Sequence, residues 1–204
     1  MTVKYPVHSI NRLRINTDGE GIRTLILLSG CPLRCKYCIN SSTWDGTEQS
    51  IMMTSAEVYS KIIVDRSYIL ATNGGITFGG GEPLIHPSLI NEVRNIIDKG
   101  MTIFVETSLN IPWDDIYLSQ NSIDRYYIDI KTTDPEKYKY YTGMELAPVI
   151  DNLRKLIELK SKNNVIVRIP EIPGLVNINE QFESKKYLYD IGVELFDLFK
   201  YQIH

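Results

Sequence analysis

Apolar positions along the chain fall into two kinds of segment. Six short runs rich in branched or aromatic residues predict buried β-strands, at residues 22–29, 75–78, 101–106, 125–130, 165–169 and 194–201. Four segments with helical spacing predict α-helices, from 54 to about 70 and at 87–98, 148–160 and 181–191. Thr54 and Glu57 form a capping box at the first of these helices. Strands separated by helices imply parallel βαβ units and therefore an α/β fold.

Unusual groups lie at the carboxyl ends of five of the predicted strands. The carboxyl ends of parallel strands share one edge of a sheet, and α/β proteins bind their ligands there. In chain order, these groups are the cysteine loop 31–38, the glycines at 79–81 with Glu82, Glu106 with Thr107, Asp129 with Lys131, and Arg168. The sequence therefore predicts a single functional site at this edge.

Composition limits the class of protein. The 204 residues carry a formal net charge of -3 with mixed signs, which argues against a nucleic-acid or membrane-surface role driven by bulk charge. The length suits one domain over residues 1–204. Residues 1–10 hold no long apolar run, and no stretch approaches the roughly 20 apolar residues of a membrane span. We therefore expect no signal peptide, no membrane contact and a cytoplasmic location.

The strongest chemical signal is the spacing of the three cysteines, Cys31-x3-Cys35-x2-Cys38. An odd number in so short a loop does not fit a secreted disulfide framework, whereas thiolates are the ligands of iron–sulfur clusters. Three thiolates on a four-iron cubane leave one iron open to a chelating ligand. The alternatives are a structural zinc completed by His8 or His86, or a simple electron-transfer cluster. Neither alternative accounts for the other strand-end groups.

The cysteine motif, with Tyr37 before its third cysteine, resembles the signature of the radical S-adenosylmethionine (SAM) superfamily, and residues 80–82 resemble its Gly-Gly-Glu motif. More narrowly, the chain resembles the glycyl-radical-enzyme activating enzymes, of the pyruvate formate-lyase activase type. The matches are His8 with Ser9, the segments 18–23, 129–131, 134–138, 141–143 and 168–174, and Asn40. Departures are DGEGIR for DGPGIR at 18–23, Ile39 in place of a frequent His, and Glu106 in place of a common Asp. The resemblance implies a partial (β/α)6 TIM-like barrel.

The resemblance also implies a ligand set. Cys31, Cys35 and Cys38 would hold one 4Fe-4S cluster, and SAM would bind the open iron. The residues implied in SAM binding are Tyr37, Ile39, Gly80, Gly81, Glu82, Asp129, Lys131, Arg168 and His204. A monovalent cation near Glu106, Thr107 and Asp129 is a further candidate. Three alternatives without a role in SAM binding remain open. The glycines form only a tight turn, Glu82 is a solvated charge, and Asp129, Lys131 and Arg168 form a surface ion-pair network.

The activity implied is the reductive cleavage of SAM to a 5′-deoxyadenosyl radical, which removes a hydrogen atom from a glycine of a partner glycyl radical enzyme. Flavodoxin or ferredoxin is the expected reductant. Two other functions remain open. The first is a radical SAM enzyme that modifies a ribosomal peptide or a small metabolite, and the second is a cluster-binding electron carrier without enzymatic activity.

Overall fold

A computed structural model describes residues 3–45 and 49–201 of the chain. The described residues form eight β-strands, which are β1 Tyr5–Ile15, β2 Ile22–Leu28, β3 Ile51–Met53, β4 Gly75–Gly80, β5 Thr102–Thr107, β6 Arg125–Asp129, β7 Val165–Glu171 and β8 Leu195–Lys200. They also form seven α-helices, which are α1 Ser55–Ile62, α2 Arg66–Ala71, α3 Pro87–Ile96, α4 Trp113–Ser119, α5 Pro135–Thr142, α6 Ala147–Leu159 and α7 Ile178–Asp190. Among these residues, no helix has the length and apolar character needed to cross a membrane.

The chain divides into two compact units. The first takes in the described residues of Met1–Cys31, Asn40–Glu106 and Pro112–Asp124, and the second takes in those of Pro32–Ile39, Thr107–Ile111 and Arg125–His204. The division falls inside the cysteine loop, directly after Cys31. The expectation of one domain over residues 1–204 stays a prediction.

In the first unit, the strands are ordered β3-β1-β2-β4-β5. β1 runs antiparallel to both β2 and β3, whereas β2, β4 and β5 are mutually parallel neighbours. β4 is buried on both faces, as expected for a parallel strand with neighbours on either side. The helices α1 and α3 contribute fully buried side chains to this core, and α3 packs beside both α1 and α4.

A buried arginine links three strands of the first unit. Arg23 of β2 has no solvent exposure. Its guanidinium donates hydrogen bonds to Oγ1 of Thr77 on β4, at 2.7 Å, and to Oγ1 of Thr102 on β5, at 3.0 Å. It also stacks 3.5 Å from the ring centroid of Phe104. The buried charge is therefore satisfied by strand groups and by an aromatic face, which places this motif residue in the core of the unit.

In the second unit, the strands β6, β7 and β8 lie side by side in that order and are parallel. Helix α7 packs on β7, and Nε2 of its Gln181 donates to the carbonyls of Ile169 and Phe199, at 2.7 and 3.1 Å, which ties the helix to β7 and β8. The parallel pairs of both units confirm the predicted α/β class with mainly parallel strands.

The sequence pattern misses two strands, β1 and β3. Only Tyr5 and Val7 are buried along the eleven residues of β1, and register shifts interrupt its pairing with β2. A strand with so little buried surface and no regular alternation has no strong period-two signal. β3 has only three residues, of which Ile51 and Met52 are exposed. The short helices α4 and α5 also lie outside the predicted helices.

The helix predicted from 54 to about 70 is two helices. Its capping box is confirmed, since Thr54 and Glu57 exchange both hydrogen bonds at the start of α1. A 3-10 turn at Ile63–Asp65 then separates α1 from α2. Within that turn, the buried Asp65 accepts two hydrogen bonds from Arg12 of β1, at 2.6 and 2.7 Å. This contact with a distant strand is invisible to local periodicity.

The strand predicted at 165–169 extends two residues further, because β7 continues through Pro170 to Glu171. The last pair between β6 and β7 is Asp129 with Arg168, so β6 stops before Pro170 is reached. A proline removes a backbone donor, but none of the described strands lies on the β6 side at this point to accept a hydrogen bond. As a result, Arg168 lies in the middle of β7 and not at its end.

Candidate active site

The first unit holds the start of the cysteine loop. The amide of Gly30 donates to the carbonyl of Thr43, at 2.7 Å, and the amide of Cys31 donates to that of Trp44, at 3.3 Å. Both acceptors belong to the 3-10 turn at Ser41–Thr43 or follow it directly. The backbone at Cys31 is therefore held in a defined position, with its side chain partly exposed.

The glycines at 80 and 81 follow from close backbone packing within the first unit. A Cβ atom on Gly81 would lie 2.2 Å from the carbonyl oxygen of Gly30, and one on Gly80 would lie 2.8 Å from backbone atoms of Leu28. Gly80 also has a φ of +104°, which side chains disfavour. The amide of Glu82 donates to the carbonyl of Gly30, at 2.7 Å. The end of β4 and the loop that follows it therefore pack directly against the end of β2 and the loop that follows that strand.

Glu82 is buried, with 1% of its surface exposed, so the alternative that it is a solvated charge is wrong. Its Oε1 atom accepts a hydrogen bond from the amide of Leu84, at 3.3 Å, and caps the 3-10 turn Pro83–Ile85. A carboxylate fixed in this way has little rotamer freedom left to lose when it binds a ligand.

The histidines of the zinc alternative make polar contacts within the first unit. Nε2 of His86 lies 2.9 Å from the carbonyl oxygen of Ser29 and therefore acts as the donor. Burial lowers the pKa of His86, which favours the neutral ring. Nε2 of His8 lies 3.3 Å from Oγ of Ser42. In the portion of the chain that the structure covers, no group of three or more His, Cys, Asp or Glu side chains is arranged to hold a metal ion.

The second unit holds the rest of the cysteine loop. The amide of Cys38 donates to the carbonyl of Cys35, at 3.1 Å, and closes a turn between the two thiols. Burial raises the pKa of the Cys35 thiol to about 11, although the nearby cation of Lys131 acts in the opposite direction. All three cysteines are free thiols, a donor set that suits an iron–sulfur cluster.

Three predicted site residues meet in the second unit. Asp129 ends β6, and parallel register sets it opposite Arg168. Nε of Arg168 lies 2.7 Å from Oδ1 of Asp129, and Nζ of Lys131 lies 3.2 Å from Oδ2. The exposed fraction of the side chain is only 27% for Asp129, 15% for Lys131 and 19% for Arg168. They form an ion-pair network, as the alternative without a role in binding expects. The network is largely buried, however, and only a small part of it is exposed to solvent.

The charged side chains of this network stabilise one another in their ionised forms. Partial burial acts to raise the pKa of Asp129, but Arg168 and Lys131 outweigh it and lower that pKa to about 2. Burial acts to lower the pKa of Lys131, and Asp129 and Cys35 overcome this effect, so that the net shift is upward. Asp129 and Lys131 therefore stay charged at neutral pH, and the guanidinium of Arg168 is always protonated in proteins, so two cations surround one carboxylate.

The other predicted site residues differ in solvent exposure and are divided between the two units. Tyr37 and Ile39, in the second unit, are 38% and 74% exposed. Glu106 belongs to the first unit, and its Oε2 atom lies 3.0 Å from the position of a Cβ on Gly79. Thr107, in the second unit, is buried and accepts a hydrogen bond from the amide of Leu109 through Oγ1, at 3.0 Å. His204 lies outside the described residues.

Sequence reasoning missed the residues that hold the turn between Cys35 and Cys38. The amides of Arg34 and Lys36 donate to the last carbonyls of α5, and the hydroxyl of Tyr201 donates to the carbonyl of Tyr37. The available signals were the Tyr-Thr-Gly segment at 141–143 and a tyrosine at the end of the last predicted strand. Neither signal indicates which loop is contacted.

Comparisons of sequence place this arrangement among known proteins. The model of the radical SAM superfamily matches residues 25–180. A pyruvate formate-lyase-activating enzyme of Staphylococcus epidermidis is 28% identical over 211 residues, which cover 98% of this chain and 82% of the relative. An enzyme of the same name from Staphylococcus aureus strain USA300 is 31% identical over 179 residues, covering 84% of this chain and 70% of the relative.

Solved structures show the same fold at low sequence identity. TYW1 with a lysine–pyruvate adduct gives a TM-score of 0.63 at 18% identity and covers 88% of this chain and 65% of that one. Methylornithine synthase (PylB) gives 0.63 at 13%, with 88% and 53% covered. SuiB of Streptococcus suis bound to the precursor peptide SuiA gives 0.65 at 11%, with 87% and 38% covered. This chain spans less than two thirds of the length of each of these three proteins. The structural likeness confirms the expected fold, the partial TIM barrel of radical SAM enzymes.

Proposed function

Because this chain belongs to the radical SAM superfamily, we propose that it activates a glycyl radical enzyme by removing a hydrogen atom from a glycine of that partner. The family makes it an enzyme of the radical SAM oxidoreductase class, with a 4Fe-4S cluster and SAM as cofactors. The specific activase role rests on one observation above all, the likeness over most of the chain to enzymes named as activators of pyruvate formate-lyase.

The residues of the chain fit the implied cluster. Cys31, Cys35 and Cys38 are free thiols within eight residues, and as three ligands to a four-iron cubane they would leave one iron open to another ligand. When bound, the cluster supplies one electron that cleaves SAM to methionine and a 5′-deoxyadenosyl radical. The protein must therefore position SAM, exclude water and direct the radical to its target.

Charged side chains supply the recognition of SAM in this proposal. Glu82, buried and held by its own backbone contacts, would accept a hydrogen bond from the amino group of SAM. Arg168 and Lys131, held by Asp129, would meet the carboxylate or ribose oxygens. Tyr37, Ile39 and His204 remain predicted contacts. The predicted monovalent cation near Glu106, Thr107 and Asp129 has less support, because both carboxylate oxygens of Asp129 already accept hydrogen bonds from cations.

The proposed reaction needs two partners. An external one-electron donor, flavodoxin or ferredoxin, reduces the enzyme before each cleavage of SAM. The radical then takes one hydrogen atom from the Cα of a partner glycine, which yields 5′-deoxyadenosine and a glycyl radical. Glycine suits this role because it carries no side chain to block approach. The cytoplasmic location expected from the sequence stays a prediction.

The test combines anaerobically reconstituted enzyme, a chemical reductant, SAM and a pyruvate formate-lyase. The expected result is a glycine-centred doublet in the electron paramagnetic resonance spectrum, which collapses when the partner glycine is deuterated at Cα, with 5′-deoxyadenosine formed in step. Formation of 5′-deoxyadenosine without a protein radical, together with a mass change in a peptide or metabolite, would favour the peptide- or metabolite-modifying function. Cluster reduction without SAM cleavage would favour an electron carrier and refute the proposal.

A further inference from the structure

A contact from the end of the last strand reaches the cysteine loop within the second unit. The hydroxyl of Tyr201 donates a hydrogen bond to the backbone carbonyl of Tyr37, which lies between Cys35 and Cys38. The amide of Tyr201 donates to the carbonyl of Glu171, at 2.8 Å, and so continues the pairing of β7 with β8 by one residue. The backbone that carries this ring is therefore fixed by the sheet.

Helix α5 holds the same loop through its C-terminal carbonyls. The amides of Arg34 and Lys36 donate to the carbonyls of Thr142 and Tyr141, at 2.8 and 3.0 Å. The helix ends at Gly143, whose φ of 79° turns the chain away. Carbonyls in the last turn of a helix have no partner within it and can accept from another segment. The ring of Tyr37 also meets that of Tyr141 edge-on, with centroids 5.9 Å apart.

We propose that Tyr201 is a positioning residue for cluster binding. Its hydroxyl, together with the end of α5, holds the turn from Cys35 to Cys38 in one conformation before any metal binds. A turn ordered in advance loses less conformational entropy when its two thiolates take up a cluster, and it releases the cluster less readily. The inference rests on the proposed function in one respect, that Cys35 and Cys38 are cluster ligands.

The first test uses the metal-free protein. Tyr201→Phe removes the hydroxyl and keeps the ring, and Tyr189→Phe, at a position 63% exposed on α7, is the matched control. The rate of iodoacetamide labelling is measured at each cysteine by peptide mapping, alongside the melting temperature. We expect labelling of the buried Cys35 to rise about threefold to tenfold in Tyr201→Phe, the change that one hydrogen bond corresponds to. Labelling of Cys31, in the other unit, should not change.

The second test uses the reconstituted holoenzyme. Iron release to a chelator should be faster in Tyr201→Phe than in wild type or Tyr189→Phe, with the same melting temperature. Equal labelling at Cys35, or an equal rise at all three cysteines, would overturn the positioning role. If the wild-type chain takes up no cluster, the proposed function fails, while the labelling of the metal-free protein still decides whether Tyr201 orders the turn.

Discussion

Arg168 and Asp129 face each other across the parallel pairing of β6 and β7, with Nε of the arginine 2.7 Å from Oδ1 of the carboxylate. The strand register fixes both backbones, and the carboxylate fixes the direction of the guanidinium. A ligand that approaches this pair from its exposed side meets an arginine that is already oriented. Preorganisation of this kind lowers the entropic cost of binding.

The first prediction concerns that arginine. Arg168→Ala should weaken SAM binding about tenfold to a hundredfold, since a lost charged hydrogen bond costs about 1.5–3 kcal/mol. Lys131→Ala should act in the same direction. Titration calorimetry with iron content measured in parallel gives the readout, and Arg154→Ala, on the exposed face of α6, is the control. If both variants bound SAM with wild-type affinity, the ion-pair network would have a role in folding only.

The second prediction concerns Glu82. Glu82→Gln keeps the size of the side chain and its role as acceptor for Leu84 but removes the charge. We expect about tenfold weaker SAM binding with unchanged iron content, because a charged acceptor is replaced by a neutral one. Glu183→Gln, at an exposed position of α7, should bind SAM as wild type does. A large loss of folding stability without a change in affinity would contradict the role in SAM binding.

The third prediction concerns the cysteines. Reconstituted wild-type protein should contain about four irons and four sulfides per chain, the composition of a cubane cluster. Replacing Cys31, Cys35 or Cys38 singly by Ala should abolish SAM cleavage, as measured by 5′-deoxyadenosine formation. One zinc per chain and no sulfide would exclude the cluster. Circular dichroism of each metal-free variant separates the loss of the cluster from a loss of folding.

The fourth prediction concerns the buried arginine of β2. Arg23→Met should lower the free energy of unfolding by about 3 kcal/mol or more, because the acceptors on β4 and β5 are left without their donor and each unsatisfied buried group costs about 1–3 kcal/mol. Urea denaturation measures the change. Arg154→Met should stay within about 0.5 kcal/mol of wild type, as surface substitutions do.

The fifth prediction concerns pH. Hydrogen bonds from Arg12 lower the pKa of the buried Asp65 carboxyl, so the unfolded chain takes up the proton more readily than the folded one. The stabilisation by this pair is therefore present above the ordinary pKa of an aspartate and is lost as pH falls through the lowered one. Wild type should lose more unfolding free energy than Asp65→Asn between pH 6 and pH 3. Parallel pH profiles would show that the pair contributes nothing.

Local sequence patterns predicted the parallel strands and the capping box at Thr54, because each depends on residues close together in the chain. They did not predict contacts that join distant segments. The hydrogen bond between Tyr201 and Tyr37 spans 164 positions, and that between Arg12 and Asp65 spans 53. The motif arginine, Arg23, reads from sequence as part of a family signature, whereas its surroundings in the core explain why an arginine is needed there.

The approach of Gly81 to Gly30 has a consequence for engineering this enzyme. No room exists between the two backbones for even a methyl group, so the loop that begins the cysteine motif and the loop that carries Glu82 cannot change shape separately. Chimeras that exchange one of these loops with a homologue should misfold locally, and exchange of both together should be tolerated.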